Sequence, residues 1–196
     1  MPNLKDLKTR INSVKSTQKI TSAMKMVAAA KLRRAQEAAE SGRPYASRMR
    51  MVIASLAAKS DRRSASPLLV GRADNNTHLL VILSADKGLC AGFNGSIARA
   101  ARLTIAKKQA SGQRVLVYVV GRKAGDILGS EIVDMLFSRV EGVQGSHVTF
   151  GSASEIGEKI LKGFDARTFD SVSLLICRML ASSRLFQLRL GGWPLQ

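Results

Sequence analysis

The chain has 196 residues, 45% of them apolar, and a formal net charge of +17. That is enough length and apolar content for one folded core with an extension, and it excludes a wholly disordered chain. The two cysteines, Cys90 and Cys177, lie far apart, and the two histidines, His78 and His147, have no cysteine cluster beside them, so neither a disulfide framework nor a zinc site has support.

The charge is uneven. Residues 1–60 carry 13 Lys+Arg against 3 Asp+Glu, whereas residues 61–196 carry 18 against 11. A basic N-terminal surface seeks an acidic partner: nucleic acid, an anionic membrane or an acidic protein face. The opening Met1-Pro2-Asn3-Leu4-Lys5-Asp6 lacks a secretory apolar core. The strongly apolar runs are short, Val115–Val120 among them, whereas a spanning helix needs about 20 residues. Membrane association is therefore expected only through partners.

Residues 1–58 read as one long basic helix. Asn3 is a capping residue, and no Pro or Gly occurs between Asn3 and Gly42. Apolar side chains recur at 3–4 spacing along a coiled-coil seam that includes Leu4, Leu7, Ile11, Val14, Ala28, Leu32 and Ala35. The seam fails at Gln18, Thr21 and Lys25, where the apolar set shifts to Ile20, Met24 and Val27. That shift predicts a local change of partner. About 55 helical residues span about 80 Å, longer than the body the remaining chain would form. Such a helix needs a second helix or a surrounding protein. Pro44 removes a backbone donor and predicts a kink near Gly42–Pro44.

Residues 59–76 read as a polar linker, and residues 77–177 as an α/β domain. Leu79–Leu83 is a buried-type strand, followed by the turn Ser84–Gly92 and a helix from about Ser96 to Ala110. Val115–Val120 is the second strand, with a short helix after Gly121 reaching about Leu128. Ile132–Arg139 is expected as a third strand. Ser152-Ala153-Ser154-Glu155 has capping-box spacing and opens a helix to about Lys162, and Ser171–Cys177 is expected as the last strand. The alternation predicts a mostly parallel sheet with helices on both faces.

The turn Ser84–Gly92 follows a strand and precedes a helix, the context of a nucleotide-binding loop, but neither G-x-G-x-x-G nor G-x-x-x-x-G-K-[ST] is present. A tight strand–helix turn or a protein contact competes with nucleotide binding there. Cys90 is a nucleophile in one reading and a small contact residue in the other, and Asp86–Lys87 reads as an exposed turn with solvated charges. Gly121-Arg122-Lys123 reads as a helix start rather than a phosphate contact, and Cys177 as a core strand residue. No paired carboxylates, catalytic triad or metal set emerges, so nothing argues for an enzyme acting alone. A nucleic-acid-binding coiled coil accounts for the charge, but no aromatic occurs before Tyr45 to stack on bases. An acidic protein partner accounts for it equally well. A nucleotide-dependent α/β enzyme is the remaining alternative.

Three segments carry a family resemblance. Ile20-Thr21-Ser22-Ala23-Met24-Lys25-Met26-Val27-Ala28-Ala29-Ala30-Lys31 resembles the first-helix signature of the F-type ATP synthase gamma subunit. Arg43-Pro44-Tyr45-Ala46 matches further along that helix, and Ser84–Asn94 resembles the loop after the family's first strand. The resemblance covers roughly residues 1–177. It implies a Rossmann-like α/β domain at the base of a coiled-coil shaft, gripped by a ring of alpha and beta subunits, with its foot on the epsilon subunit and the c-subunit ring. It implies a non-catalytic subunit without a cofactor, metal or nucleic acid, on the cytoplasmic side of the bacterial inner membrane. It also implies that Met24, Lys25, Lys31, Arg33 and Arg34, with Lys87 and Cys90, lie near an acidic lever segment of the beta subunits. Residues 178–196 depart from the family: no acid occurs after Asp170, and nothing resembles the family's long C-terminal helix. The departure predicts a frameshift or truncation near Cys177–Arg178, leaving the α/β domain incomplete.

Overall fold

The computed structural model describes residues 3–61, 66–70, 72, 75–143, 149–179 and 185–193, with backbone alone from residue 177 onward. The chain divides into two compact units, Met1–Leu56 and Ala57–Gln196.

The first unit is a single helix, α1, Leu4–Lys59, in which no residue is buried. The Asn3 side chain caps it by accepting from the Lys5 backbone N–H at 3.4 Å. Thr9, Thr17 and Thr21 donate their hydroxyls to carbonyls four residues back, which lets these β-branched polar residues sit inside a helix. The helical hydrogen-bonding pattern of α1 continues through Pro44. Proline sacrifices one backbone bond in 56 residues, and good helix formers on both sides carry the structure across it.

The second unit is a five-stranded sheet in the order β3-β2-β1-β4-β5. Its strands are β1 (Thr77–Leu83), β2 (Arg114–Val120), β3 (Leu136–Val140), β4 (Ser171–Met179) and β5 (Leu185–Trp193). The first four in spatial order pair in parallel, and β5 adds antiparallel to β4. The connecting helices are α2 (Pro67–Val70), α3 (Phe93–Ala110), α4 (Arg122–Leu128) and α5 (Phe150–Asp165).

The apolar runs of β1 and β2 are continuous rather than alternating because both faces of the sheet are covered. On one face Leu80, Ile82, Val117, Val119 and Leu175 pack under Ile97, Ala98, Ala101 and Ile105 of α3 and Ala124 and Leu128 of α4. On the other, Leu79, Val81, Leu116, Tyr118 and Val120 meet Phe164 and Phe169, with Ile156 and Ile160 of α5 packed alongside. Each fully buried Leu, Ile or Val contributes about 1.5–3 kcal/mol, so these two layers hold the sheet.

Three expectations are corrected. The segment from Ile132 is not yet strand: Gly129–Met135 is a 3-10 helix that turns Ile132 into the core, and β3 begins only at Leu136. Helix α5 is capped not by Ser152 but by Thr149, whose side chain accepts from the Ser152 backbone N–H, so the helix starts earlier. Ser171–Cys177 is not the last strand, because β5 follows it. Residues 62–65, 71 and 73–74 of the expected linker, residues 180–184 and 194–196 of the expected tail, His147 and the Cys177 side chain lie outside the described residues.

The other histidine, His78, is buried between two serines, with Nδ1 2.8 Å from Ser171 Oγ and Nε2 2.7 Å from Ser173 Oγ. It is a satisfied core residue at the start of β1 and not a metal ligand.

Close aromatic packing fixes α5 to the sheet. Phe137 meets Tyr118 and Phe169 edge-on, at 6.0 and 5.6 Å between ring centroids. Gly163 lies against this cluster, and a Cβ there would stand 2.7 Å from Phe169 Cε1 and 3.0 Å from Phe137 Cζ. Overpacking of this kind costs about 1–3 kcal/mol, against a helix-propensity gain of at most about 1 kcal/mol. Gly163→Ala is therefore expected to lower the denaturant midpoint, as read by urea unfolding followed by circular dichroism.

Candidate functional site

Two surfaces stand out, one on each unit. On α1 the apolar seam is exposed along its length: Leu4, Leu7, Ile11, Val14 and Leu32 all face solvent, as do Ala28 and Ala35. The shifted set, Ile20, Met24 and Val27, is exposed too. Nothing among the described residues covers this stripe. A helix that leaves so many large apolar side chains in water is suited to association.

The cations of α1 are arranged differently from the seam. At about 100° per residue, Met24 and Lys31 share a face, Lys25 and Arg34 flank it on opposite sides, and Arg33 points away from it. The five residues singled out from sequence therefore encircle the helix rather than line one side. A partner that reads all of them has to surround the helix. Arg33 is partly engaged, with Nε 2.9 Å from Glu37 Oε1 in an exposed pair of small energetic weight.

The second surface is the turn after β1, which places Lys87 and Cys90 together at the C-terminal end of the sheet. Its base is tightly built. The Ser84 N–H donates to Val120 O at 2.8 Å, and Ser84 Oγ accepts from the Ala124 N–H at 3.0 Å. Asp86 Oδ1 accepts from the backbone N–H groups of Arg122 and Gly142, at 3.1 and 3.2 Å. The Lys123 N–H donates to Ala85 O at 2.9 Å. Asn94, buried at the start of α3, accepts from the Ala85 N–H at 3.1 Å and sets its amide nitrogen 3.0 Å from Cys90 Sγ.

Asp86 is thus no solvated charge of an exposed pair, as the sequence suggested, but the clamp that ties three loops together. Lys87 does face solvent. Cys90 is half-buried and hydrogen-bonded, consistent with a contact residue. Sequence reasoning missed Asp86, Asn94 and Ser84 as the residues that shape the turn. The signal available was a short polar residue at each corner of a strand–turn–helix step, the composition that bonds backbone groups locally.

Beside the turn lies a charged cluster on α4. Asp126 is approached by Arg139 Nη2 at 2.9 Å, Arg122 Nε at 3.4 Å and Lys123 Nζ at 3.8 Å. The Arg139 hydrogen bond, with Arg122 and Lys123 adding charge, holds the Asp126 carboxyl below its usual range. Glu131 is likewise held low by its two-pronged pairing with Arg102, at 2.6 and 2.7 Å. These folded-state values are depressed. The stabilisation is therefore present above the unfolded pKa and is lost as pH falls through the folded one. Asp126→Asn is expected to reduce stability at neutral pH, with the gap to wild type closing below about pH 4 in pH-dependent thermal unfolding.

Among the described residues no group of three His, Cys, Asp or Glu side chains is placed to hold a metal ion, and no helix is long and apolar enough to cross a membrane.

A four-stranded parallel sheet in the order β3-β2-β1-β4, covered on both faces and preceded in sequence by a long helix, defines an α/β protein of Rossmann-like topology. The chain belongs to the ATP synthase family, whose pattern it matches over residues 3–185. It is 50% identical over 175 residues to the ATP synthase gamma chain of Rhizobium etli, an alignment covering 89% of this chain and 60% of that one. The gamma chain of Brucella canis is 49% identical over 174 residues, with the same shares covered. The chain thus spans about 60% of the length of the curated relatives it matches. Among solved structures it is similar to a chain of the central stalk and c-ring of the Tetrahymena thermophila mitochondrial ATP synthase. That match has 26% identity and a TM-score of 0.66, covering 88% of this chain and 71% of that one. A chain of the Euglena gracilis mitochondrial ATP synthase, 13% identical with a TM-score of 0.55, covers 94% of this chain and 55% of that one and shares the fold.

Proposed function

We propose that this chain forms the shaft-bearing part of the central rotor of a proton-translocating F-type ATP synthase. The observation that carries the reading is α1 itself: 56 residues, none buried, with an apolar stripe and cations on all sides. Such a helix is matched to the interior of a ring, not to one flat neighbour.

In this reading the alpha and beta subunits surround α1, with Met24, Lys25, Lys31, Arg33 and Arg34 meeting acidic segments of beta. The turn bearing Lys87 and Cys90 makes a further contact with beta. The α/β unit contacts the epsilon subunit and the c-subunit ring, at the cytoplasmic face of a bacterial inner membrane. The seam of α1 pairs with the C-terminal helix of a full-length gamma chain, which the longer relatives have room for. Nucleotide chemistry belongs to beta, and no residue here need touch ATP.

The mechanism follows from asymmetry. A shaft without threefold symmetry makes different contacts with each beta subunit. Those differences bias each catalytic site toward a different conformation and nucleotide affinity, and rotation passes the bias from site to site.

Co-expression with the alpha and beta subunits tests the reading. This chain and a version extended by a family C-terminal helix should both co-elute with the ring, the extended one more tightly. Failure of both to bind, together with salt-dependent binding of DNA, would overturn it.

A further inference from the structure

The turn after β1 holds a feature that its clamps do not require. Leu89 has φ 60° and Ala91 φ 48°, two non-glycine residues in the left-handed region within one turn. Leu89 is also 97% exposed, with its side chain wholly in water at the tip. For an L-residue with a branched side chain this conformation is disfavoured, and Gly or Asn would hold it at less cost. The turn therefore carries two penalties at one position: a strained backbone and an exposed apolar side chain. Strain of this kind persists only where the surroundings over-determine it. Here they do: Asp86 ties the turn's start to two other loops, and Asn94 fastens Ala85 and Cys90 on either side of the tip. The backbone on both sides of the tip is tied by these bonds, so less main-chain entropy is lost on docking.

We infer that Leu89 is an apolar anchor that inserts into an apolar recess of the beta subunit, with Lys87 reading an acidic rim beside it. The inference rests on the rotor reading above and names the residue through which this turn binds. The occupant is set by what the tip displays: Leu89 and Lys87 are both exposed, separated only by Gly88, in a chain of net charge +17. An apolar pocket edged with carboxylates matches both at once.

The prediction separates binding from folding. Leu89→Asn and Leu89→Gly remove the anchor and suit the left-handed backbone. Each is expected to leave the chain's unfolding midpoint unchanged or raised, while weakening association with co-expressed alpha and beta subunits by about tenfold or more. Leu89→Met keeps an apolar tip and should retain most of the affinity. The readouts are thermal unfolding of the full chain and surface-plasmon titration of the purified alpha–beta ring. If wild type binds the ring and all three variants bind equally, the anchor is overturned and the rotor reading stands. If the variants lose stability and binding together, Leu89 is a folding residue and the anchor is likewise overturned. If wild type itself does not bind, the rotor reading fails with it.

Discussion

Replacing Gly121 by alanine is expected to destabilise the α/β unit by about 4 kcal/mol or more, enough to leave much of the chain unfolded at 37 °C. Gly121 closes β2 with φ 95°, and a Cβ there would lie 2.1 Å from the Ser84 carbonyl oxygen and 2.8 Å from its carbonyl carbon. Both obstructing atoms are backbone, so no side-chain rotation relieves the clash. The obvious escape is to part the C-terminal ends of β1 and β2. That would break the Ser84 N–H to Val120 O bond, 2.8 Å, and the Ser84 Oγ contact that starts α4. With φ 95° and ψ 149° the backbone lies in a region open essentially only to glycine, which costs alanine about 1–3 kcal/mol, and the backbone clash adds to it. Urea denaturation monitored by circular dichroism reads the loss. A midpoint within experimental error of wild type would show that the two strand ends separate more easily than this geometry allows.

Reversing Lys25, Arg33 and Arg34 to Glu is expected to leave the chain folded and to uncouple the assembled enzyme. All three side chains are exposed, so substitution touches no core. At the surface of a ring with acidic segments, each reversal exchanges an attraction for a repulsion of about 1 kcal/mol, together about two decades in affinity. Arg33 should contribute least, because Glu37 already holds it at 2.9 Å. In vesicles reconstituted with the complete complex, ATP hydrolysis should persist while ATP-driven proton pumping falls sharply. Normal pumping would remove these residues from the contact.

Much of this architecture was legible in the residues. Long apolar runs such as Val115–Val120 can be buried on both faces only in a covered parallel sheet, and β2 is such a strand. The absence of Pro and Gly between Asn3 and Gly42 marked α1, and good helix formers on both sides of Pro44 carry it on to Lys59. Ile132 was placed in a strand because its apolar character fits either element. Packing under α4 decided for the 3-10 turn, a tertiary choice invisible to local pattern. The cap of α5 went to Thr149 rather than Ser152 because two hydroxyl residues at three-residue spacing compete for one role. The resemblance singled out Lys87 and Cys90 in the turn, but not the residues that build it. Asp86 bonds backbone groups 36 and 56 residues away, and no local spacing encodes that. Leu89 looked like any apolar residue until its backbone angle and exposure were known.

In the proposed rotor, α1 would be gripped from several sides. Hydrogen–deuterium exchange over residues 4–59, in the chain alone and in its complex with alpha and beta subunits, tests it most directly. With no residue buried, α1 should exchange quickly alone and become protected in the complex, most strongly around residues 20–34 and on every face. Equal exchange in the two states, or slow exchange in the isolated chain, would show that the ring does not grip α1.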